Sequence, residues 1–223
     1  EPRHRLTVDI EIDAGILVSR FGHPIAQDRE KMQNSRGGFC LLSTDMTIWT
    51  IGHSNRSLDE FLALLAAFEI DVLADVRRFP GSRKHPHFSQ NELAKSLAGV
   101  GVEYQFFPEL GGRRKPRADS PNTAWRNESF RAYADYMETE EFRAGIERLL
   151  ALANERRVAV TCSEAVWWRC HRSLIADYLK AAGIDVQHVL SPKKSELHPY
   201  TGAARLVEGR LSYAESDPQA RLF

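Results

Sequence analysis

Cysteine is scarce in this chain, with only Cys40, Cys162 and Cys170 among 223 residues. Three are too few for a disulfide framework, so a reducing cytoplasm is the expected setting. Net charge is missing too. Thirty Lys+Arg balance thirty Asp+Glu, which excludes a uniformly basic, chromatin-type protein and an acidic tail but leaves local patches open. Charges interrupt every apolar stretch before the roughly 20 residues that a bilayer span needs, and no membrane span or signal peptide is expected. Internal repeats are absent as well. What remains, 43% hydrophobic and 27% charged residues, is the composition of a soluble globule near the upper length of one domain.

The first 45 residues differ from the rest. Residues 7–11 alternate as one short strand, but Gln27 to Gly38 is polar and ends in Gly-Gly. The chain opens at Glu1, and Met46 stands directly before a clean strand. Residues 1–45 therefore read as an extension with a short strand and a linker, and 46–223 as a single domain with a candidate natural start at Met46.

From there the periodicity switches between two and 3.6. Strands are predicted at Thr47–Ile51, Val72–Val76, Val102–Phe107, Arg157–Thr161 and Val186–Leu190. Ser57 with Glu60 and Ser89 with Glu92 form two capping boxes. The first opens a helix that buries Phe61, Leu62, Leu65 and Phe68; the second opens one that buries Leu93, Leu97 and Val100. A long loop from Gly111 to about Asn127 leads into helices at 129–137 and 139–153. A helix over Cys170–Ala182 stops at Gly183, and the tail from Ser191 is irregular with a possible hairpin at Arg205–Tyr213. Strands alternating with helices at these intervals predict a three-layer α/β fold with a largely parallel sheet of about five strands, layered in Rossmann-like or rhodanese-like fashion.

In such a sheet a ligand site lies beyond the carboxyl ends of the strands. Here those exits carry Gly52-His53-Ser54, Asp75-Val76-Arg77 and Cys162-Ser163-Glu164, and the helix after strand four opens with Cys170-His171-Arg172. Cys170 in the first turn of a helix, beside Arg172, favours a thiolate. The same position holds His171 as a neutral imidazole. The alternative is that Cys162 and Cys170 are small buried packing residues. Seven residues separate the two cysteines, too many for a close C-x-x-C pair, and a zinc site would need His171, Glu164 or His53 to complete it. The strand–Cys–loop–Arg–helix layout invites comparison with cysteine phosphatases and rhodaneses. The count differs, however, since Arg169 lies seven positions beyond Cys162 and Arg172 ten.

Glu164, Asp75 and His53 are candidate proton carriers, with a structural pairing of Asp75 to Arg77 or Arg172 as the alternative. Arg77 and Arg172, with Ser54, are candidate anion ligands because a guanidinium offers a planar fork to phosphate. Two basic islands complete the picture. Val76 to Asn91 contains no acid but holds Arg77, Arg78, Arg83, Lys84, Phe79 and Phe88, and Arg113 to Arg117 holds Arg113, Arg114, Lys115 and Arg117. Basic, aromatic-interleaved loops suit a phosphate backbone or a phosphate-bearing substrate, although most such runs are solvated loops. Trp167 and Trp168 could stack on a base or lid the pocket, with at least one expected to pack on the core.

The runs Thr50–Ser54, Ala74–Ser82, Glu109–Arg114, Asn122–Phe130 and Cys162–Arg172 together resemble the bacterial domain-of-unknown-function 488 family over about residues 47–213. Ser163 departs from it, since the family more often has Ala there. The resemblance implies an α/β three-layer domain, and its motif residues fall on Gly52, His53, Ser54, Asp75, Arg77, Cys162, Glu164, Cys170, His171 and Arg172. It carries over no activity and no cofactor.

The leading expectation is an enzyme acting on a phosphate-bearing substrate, a nucleotide or nucleic acid. Cys162 or Cys170 would be nucleophile or redox thiol, and Glu164, His171, Asp75 and His53 would handle protons. Arg77, Arg172, Ser54, Arg113, Arg114 and Trp168 would hold the substrate. Two alternatives stand beside it: a non-catalytic nucleic-acid-binding module using the basic islands, and a Cys/His metal or redox centre, although no metal ligand is assigned.

Overall fold

The structure, a computed structural model, describes residues 46–81 and 84–215. The expectations for residues 1–45, Cys40 among them, lie outside the described residues. Strands β1 (Thr47–Gly52), β2 (Val72–Asp75), β3 (Glu103–Phe106), β4 (Val158–Cys162), β5 (Asp185–Ser191) and β6 (Lys194–Leu197) form one sheet in the order β3-β2-β4-β1-β5-β6. The first five run parallel and β6 is antiparallel at the edge. The central strands β2 and β4 are buried along their whole length, which is why Val-Leu-Ala-Asp and Val-Ala-Val-Thr-Cys read as continuous runs without alternation.

Helices α1 (Leu58–Ala67) and α2 (Gln90–Ala98) cover one face of the sheet. Their apolar sides pack with Ile51, Leu73, Ala159 and Val189. Helices α3 (Glu128–Tyr136), α4 (Glu140–Ala153) and α5 (Arg172–Ala181) cover the other, over Ile48, Ala74, Val160 and Val186. The result is the expected three-layer α/β architecture. A small hairpin of β7 (Arg205–Val207) and β8 (Arg210–Ser212) follows.

Four local expectations are corrected. The tail after Ser191 is not all irregular, because Lys-Ser-Glu-Leu at 194–197 adds a sixth strand. This polar edge segment carries little apolar alternation for a sequence reading to find. Ser57 and Glu60 make their reciprocal capping box, but Ser89 makes no side-chain cap. Its backbone N–H instead closes the 3-10 turn Pro86–Phe88, and Glu92 pairs with Lys95 at 2.9 Å. Val100 is exposed, beyond the last turn of α2. Finally, α5 starts at Arg172, since Cys170 is extended at φ −134°, ψ 149°. Among the described residues no helix is long and apolar enough to cross a membrane.

Topology places the site. The crossover after β1 runs to β2 on one face, and the crossover after β4 runs to β5 on the other, so the chain departs in opposite directions from two adjacent strands. Such a switch point opens a crevice at the carboxyl ends. Here Gly52 of β1 lies in register with Cys162 of β4.

Candidate functional site

The loop after β4 crosses directly over the end of β1. A Cβ on Gly52 would lie 1.7 Å from the Glu164 carbonyl oxygen, so only glycine permits this approach. His53 N–H donates to the Cys162 carbonyl at 3.1 Å and Ser54 N–H to the Ser163 carbonyl at 2.8 Å. These bonds carry the β1–β4 ladder past the strand ends and hold both exits together.

On one side of this junction, Asp75 is enclosed by donors. Its carboxylate accepts from the Arg77 backbone N–H (3.0 Å), Arg77 Nε (2.9 Å), Arg77 Nη2 (2.5 Å) and the Tyr104 hydroxyl (2.7 Å). Burial and the Asp75 charge push the Tyr104 hydroxyl far up, so it stays a proton donor. Arg77 Nη1 reaches the Phe88 carbonyl at 2.7 Å and His53 Nε2 at 3.4 Å. His53 stacks on Phe88 with ring centres 4.2 Å apart. Its Nδ1 lies 3.0 Å from the Ser54 carbonyl, which can only accept, so Nδ1 carries the proton and Nε2 faces Arg77. Burial, then Arg77, lowers the His53 pKa to about 4, and the ring is neutral near pH 7.

On the other side two thiols meet an imidazole. His171 Nδ1 lies 3.5 Å from Cys170 Sγ and 3.9 Å from Cys162 Sγ, and the three atoms fall within 4.8 Å of one another. His171 Nε2 lies 3.1 Å from the Val76 carbonyl oxygen. A carbonyl only accepts, so Nε2 carries a proton, and in the tautomer with that single proton the Nδ1 lone pair faces both sulfurs. Gly112 presses on the same ring, for a Cβ there would lie 2.9 Å from Nδ1. Burial opposes ionisation of Cys170, but the Cys162 thiol donating to it and the adjacent Arg172 prevail and take its pKa down to about 6. That same thiol–thiol hydrogen bond, with burial, holds Cys162 up at about 12. Cys170 is thus the more acidic thiol of the pair and Cys162 the weaker acid.

Arg172 is 1% exposed and, among the described residues, meets no carboxylate directly. Its Nη2 donates to the Glu164 carbonyl at 2.5 Å and its Nη1 to Thr50 Oγ1 at 3.3 Å. From Thr50 a buried chain runs away from the thiols: Thr50 Oγ1 to His188 Nδ1 at 2.6 Å, His188 Nε2 to His198 Nδ1 at 2.8 Å, and His198 Nε2 to Asp177 at 3.0 Å. Asp177 also accepts from the Tyr213 hydroxyl and from the backbone N–H and hydroxyl of Thr201. A carboxylate at one end and a guanidinium at the other fix every donor in one direction, Arg172 to Thr50 to His188 to His198 to Asp177. Burial, then His198 and Arg172, lowers the His188 pKa to about 2, and Trp167 stacks on its ring at 4.3 Å. The sequence reading missed this relay. Its one legible trace was Asp177, an acid set among the buried residues of α5.

The predicted residues therefore divide. Cys162, Cys170, His171 and Arg172 converge, while His53, Asp75 and Arg77 form the adjoining buried knot, joined to them through Val76. Asp75 is paired with Arg77, the structural alternative weighed above, and Arg172 is engaged by internal acceptors through Nη1 and Nη2, while its buried Nε has no hydrogen-bond partner among the described residues. Glu164 has an exposed side chain and contributes its carbonyl. Ser54 is part-buried beside Asn55, its φ of 48° in the left-handed region. Arg114 lies over the Tyr136 ring at 3.4 Å and donates to the Gly111 carbonyl at 2.9 Å, so it fastens its own loop. Arg113 and Trp168 are exposed on the loops at this edge. Trp167 is the tryptophan that packs inward, its Nε1 donating to Glu196.

No curated protein and no solved structure matches the sequence. The family described as Domain of unknown function DUF488 matches residues 57–179, which hold Asp75, Arg77 and the whole Cys162–Arg172 segment. That match covers more than half of the chain, and the chain belongs to the DUF488 family.

Proposed function

We propose that this protein is an enzyme whose chemistry is centred on Cys170, with an anionic, phosphate-bearing substrate, a nucleotide or nucleic acid, held at the basic edge above it. The observation that carries the reading is the Cys162–Cys170–His171 cluster, two thiols facing one imidazole lone pair at a topological switch point. Cys170 is the nucleophile, kept as a thiolate by Arg172, and Cys162 or His171 exchanges the proton. Exposed Arg78, Lys84, Arg113 and Lys115, with exposed Phe79 and Trp168, supply charge and stacking surface on the surrounding loops. Free thiols at the centre fit a reducing, cytoplasmic setting.

The non-catalytic nucleic-acid-binding reading has less support. In the second island Arg114 is committed to its own loop and Arg117 pairs with Asp119. Turnover of a panel of nucleotides and phosphorylated metabolites, compared between wild type and Cys170→Ser, tests the enzyme reading. The expected loss is at least about 100-fold in kcat. Turnover unchanged in both Cys170→Ser and Cys162→Ser overturns it. Salt-sensitive nucleic-acid binding that needs Arg113 but not Cys170, without turnover, would favour the binding module.

A further inference from the structure

We propose that Cys162, Cys170 and His171 also bind a thiophilic d10 cation such as Zn2+, through both Sγ atoms and the His171 Nδ1. This goes beyond the reading above, because it gives the centre a second state in which neither sulfur is available as a nucleophile.

Geometry is the first support. Zinc bonds of about 2.3 Å to sulfur and about 2.0–2.1 Å to nitrogen place tetrahedral ligands about 3.6 Å apart for S and N and about 3.8 Å apart for S and S. The two S–N separations are 3.5 and 3.9 Å, and no pair among the three atoms exceeds 4.8 Å. Closing on an ion therefore takes shifts of about 1 Å or less.

Orientation is the second. A metal-binding histidine characteristically donates its other ring N–H to a carbonyl or carboxylate, which fixes the tautomer and aims the lone pair. The Val76 carbonyl holds His171 Nε2 in this way at 3.1 Å, and Gly112 leaves space for the ring on its other side. Two thiolates and an imidazole form a soft donor set that selects zinc or copper(I) over magnesium or calcium. Binding releases the thiol protons to solvent, and the two thiolates then cancel the charge of Zn2+, so the loaded centre carries no net charge beside the buried Arg172.

The neighbouring donors do not compete. His53 has Nδ1 engaged by the Ser54 carbonyl and Nε2 facing Arg77, and the Glu164 side chain is exposed. Three protein ligands leave one tetrahedral position for water or a substrate oxygen. Both cysteines are buried while His171 is only half-buried, so an ion enters from the imidazole side.

The test titrates the full-length, reduced, chelator-treated protein with Zn2+ against a chromophoric chelator, and separately with Co2+. One equivalent should bind. Co2+ should show the intense visible bands of a tetrahedral site and a sulfur-to-cobalt charge-transfer band. Cys162→Ser and Cys170→Ser should each weaken Zn2+ by more than about 100-fold, and His171→Gln by about tenfold or more. Wild-type alkylation by iodoacetamide provides a readout that does not depend on how the variants fold, and one equivalent of Zn2+ should slow it at least about tenfold. No stoichiometric binding by the folded, reduced wild type, or binding that survives in folded Cys162→Ser and Cys170→Ser, overturns the proposal. Rapid alkylation of Cys170 unaffected by Zn2+ also overturns it and leaves the nucleophile reading standing. Zn2+ binding and protection with no turnover in either state supports the metal site and removes the enzyme reading instead.

Discussion

Arg77 and Arg172 are both nearly buried, at 5% and 1% exposure, yet they answer their charges differently. Arg77 is matched at once by Asp75, with a second donor on the same carboxylate from Tyr104. That knot is electrically closed and joins the exits of β1 and β2 to the 3-10 turn at Phe88. Among the described residues Arg172 donates to carbonyl oxygens and Thr50, and the buried acid on that path, Asp177, lies beyond three hydrogen-bonding side chains. Distance dilutes the pairing, so much of its field falls on Cys170, the group next to it. The same residue type thus supplies rigidity in one place and reactivity in the other. The difference lies in how far away the counter-charge is kept.

Breaking the closed pair should have the largest effect. Asp75→Asn leaves a buried guanidinium uncompensated and is expected to cost about 3–5 kcal/mol in denaturant unfolding. A cost under about 1 kcal/mol would mean that the knot is not closed as described. Asp177→Asn removes the far end of the relay, and the loss of charged hydrogen bonds should cost about 2–3 kcal/mol. An Asp177→Asn protein as stable as wild type would show that the relay does not hold this region.

Arg172→Met acts on the thiol itself. The midpoint for Cys170 alkylation should rise from about 6 by a pH unit or more, and the rate at pH 7 should fall about two- to tenfold. Asp75→Asn should leave that midpoint in place wherever the protein stays folded. If both substitutions moved it equally, the contrast between the two arginines would fail.

Acid titration tests both regions together. His53 and His188 have folded pKa values of about 4 and about 2, below the ordinary 6.5, so the unfolded chain binds the extra protons. Stability should therefore fall as pH drops below 6.5, with each histidine contributing a slope of up to about 1.4 kcal/mol per pH unit. Both act down to about pH 4, and His188 alone below that. In His188→Gln, unfolding followed against pH should show a shallower slope, and an unchanged slope would contradict a neutral, buried His188. The smallest effect is expected from Gly112→Ala. Its Cβ displaces the His171 ring and should slow Cys170 alkylation a few-fold, with little change in Tm.

Much of the fold was legible because its signals are local. The Ser57–Glu60 capping box, the amphipathic spacing of Phe142, Ile146 and Leu149, and the apolar runs of β2 and β4 each act within a few residues. The second box failed because Ser89 was already engaged in the preceding 3-10 turn, a competition that residue types do not reveal. The edge strand β6 was missed because it buries too little to leave a pattern. Exit residues could be named as a set because a parallel sheet places strand ends together whatever their chemistry. Their partnerships could not, since Arg77 and Arg172 are equally plausible mates for Asp75 until the backbone path closes Arg77 on it and leaves Arg172 beside Cys170.

The sequence by itself determined an α/β chain with a parallel sheet, a reactive set of strand exits, and membership in its family through motifs that survive in order. Only the tertiary structure decided which of those residues meet. Val76 sets the tautomer of His171, Gly112 presses its ring, and Thr50 of β1, His188 of β5 and His198 just beyond β6 link Arg172 to Asp177 on its own helix. The reason is physical: propensity and periodicity are properties of neighbours in the chain, whereas a hydrogen-bond direction or a thiol's acidity depends on groups brought together from up to 138 positions away.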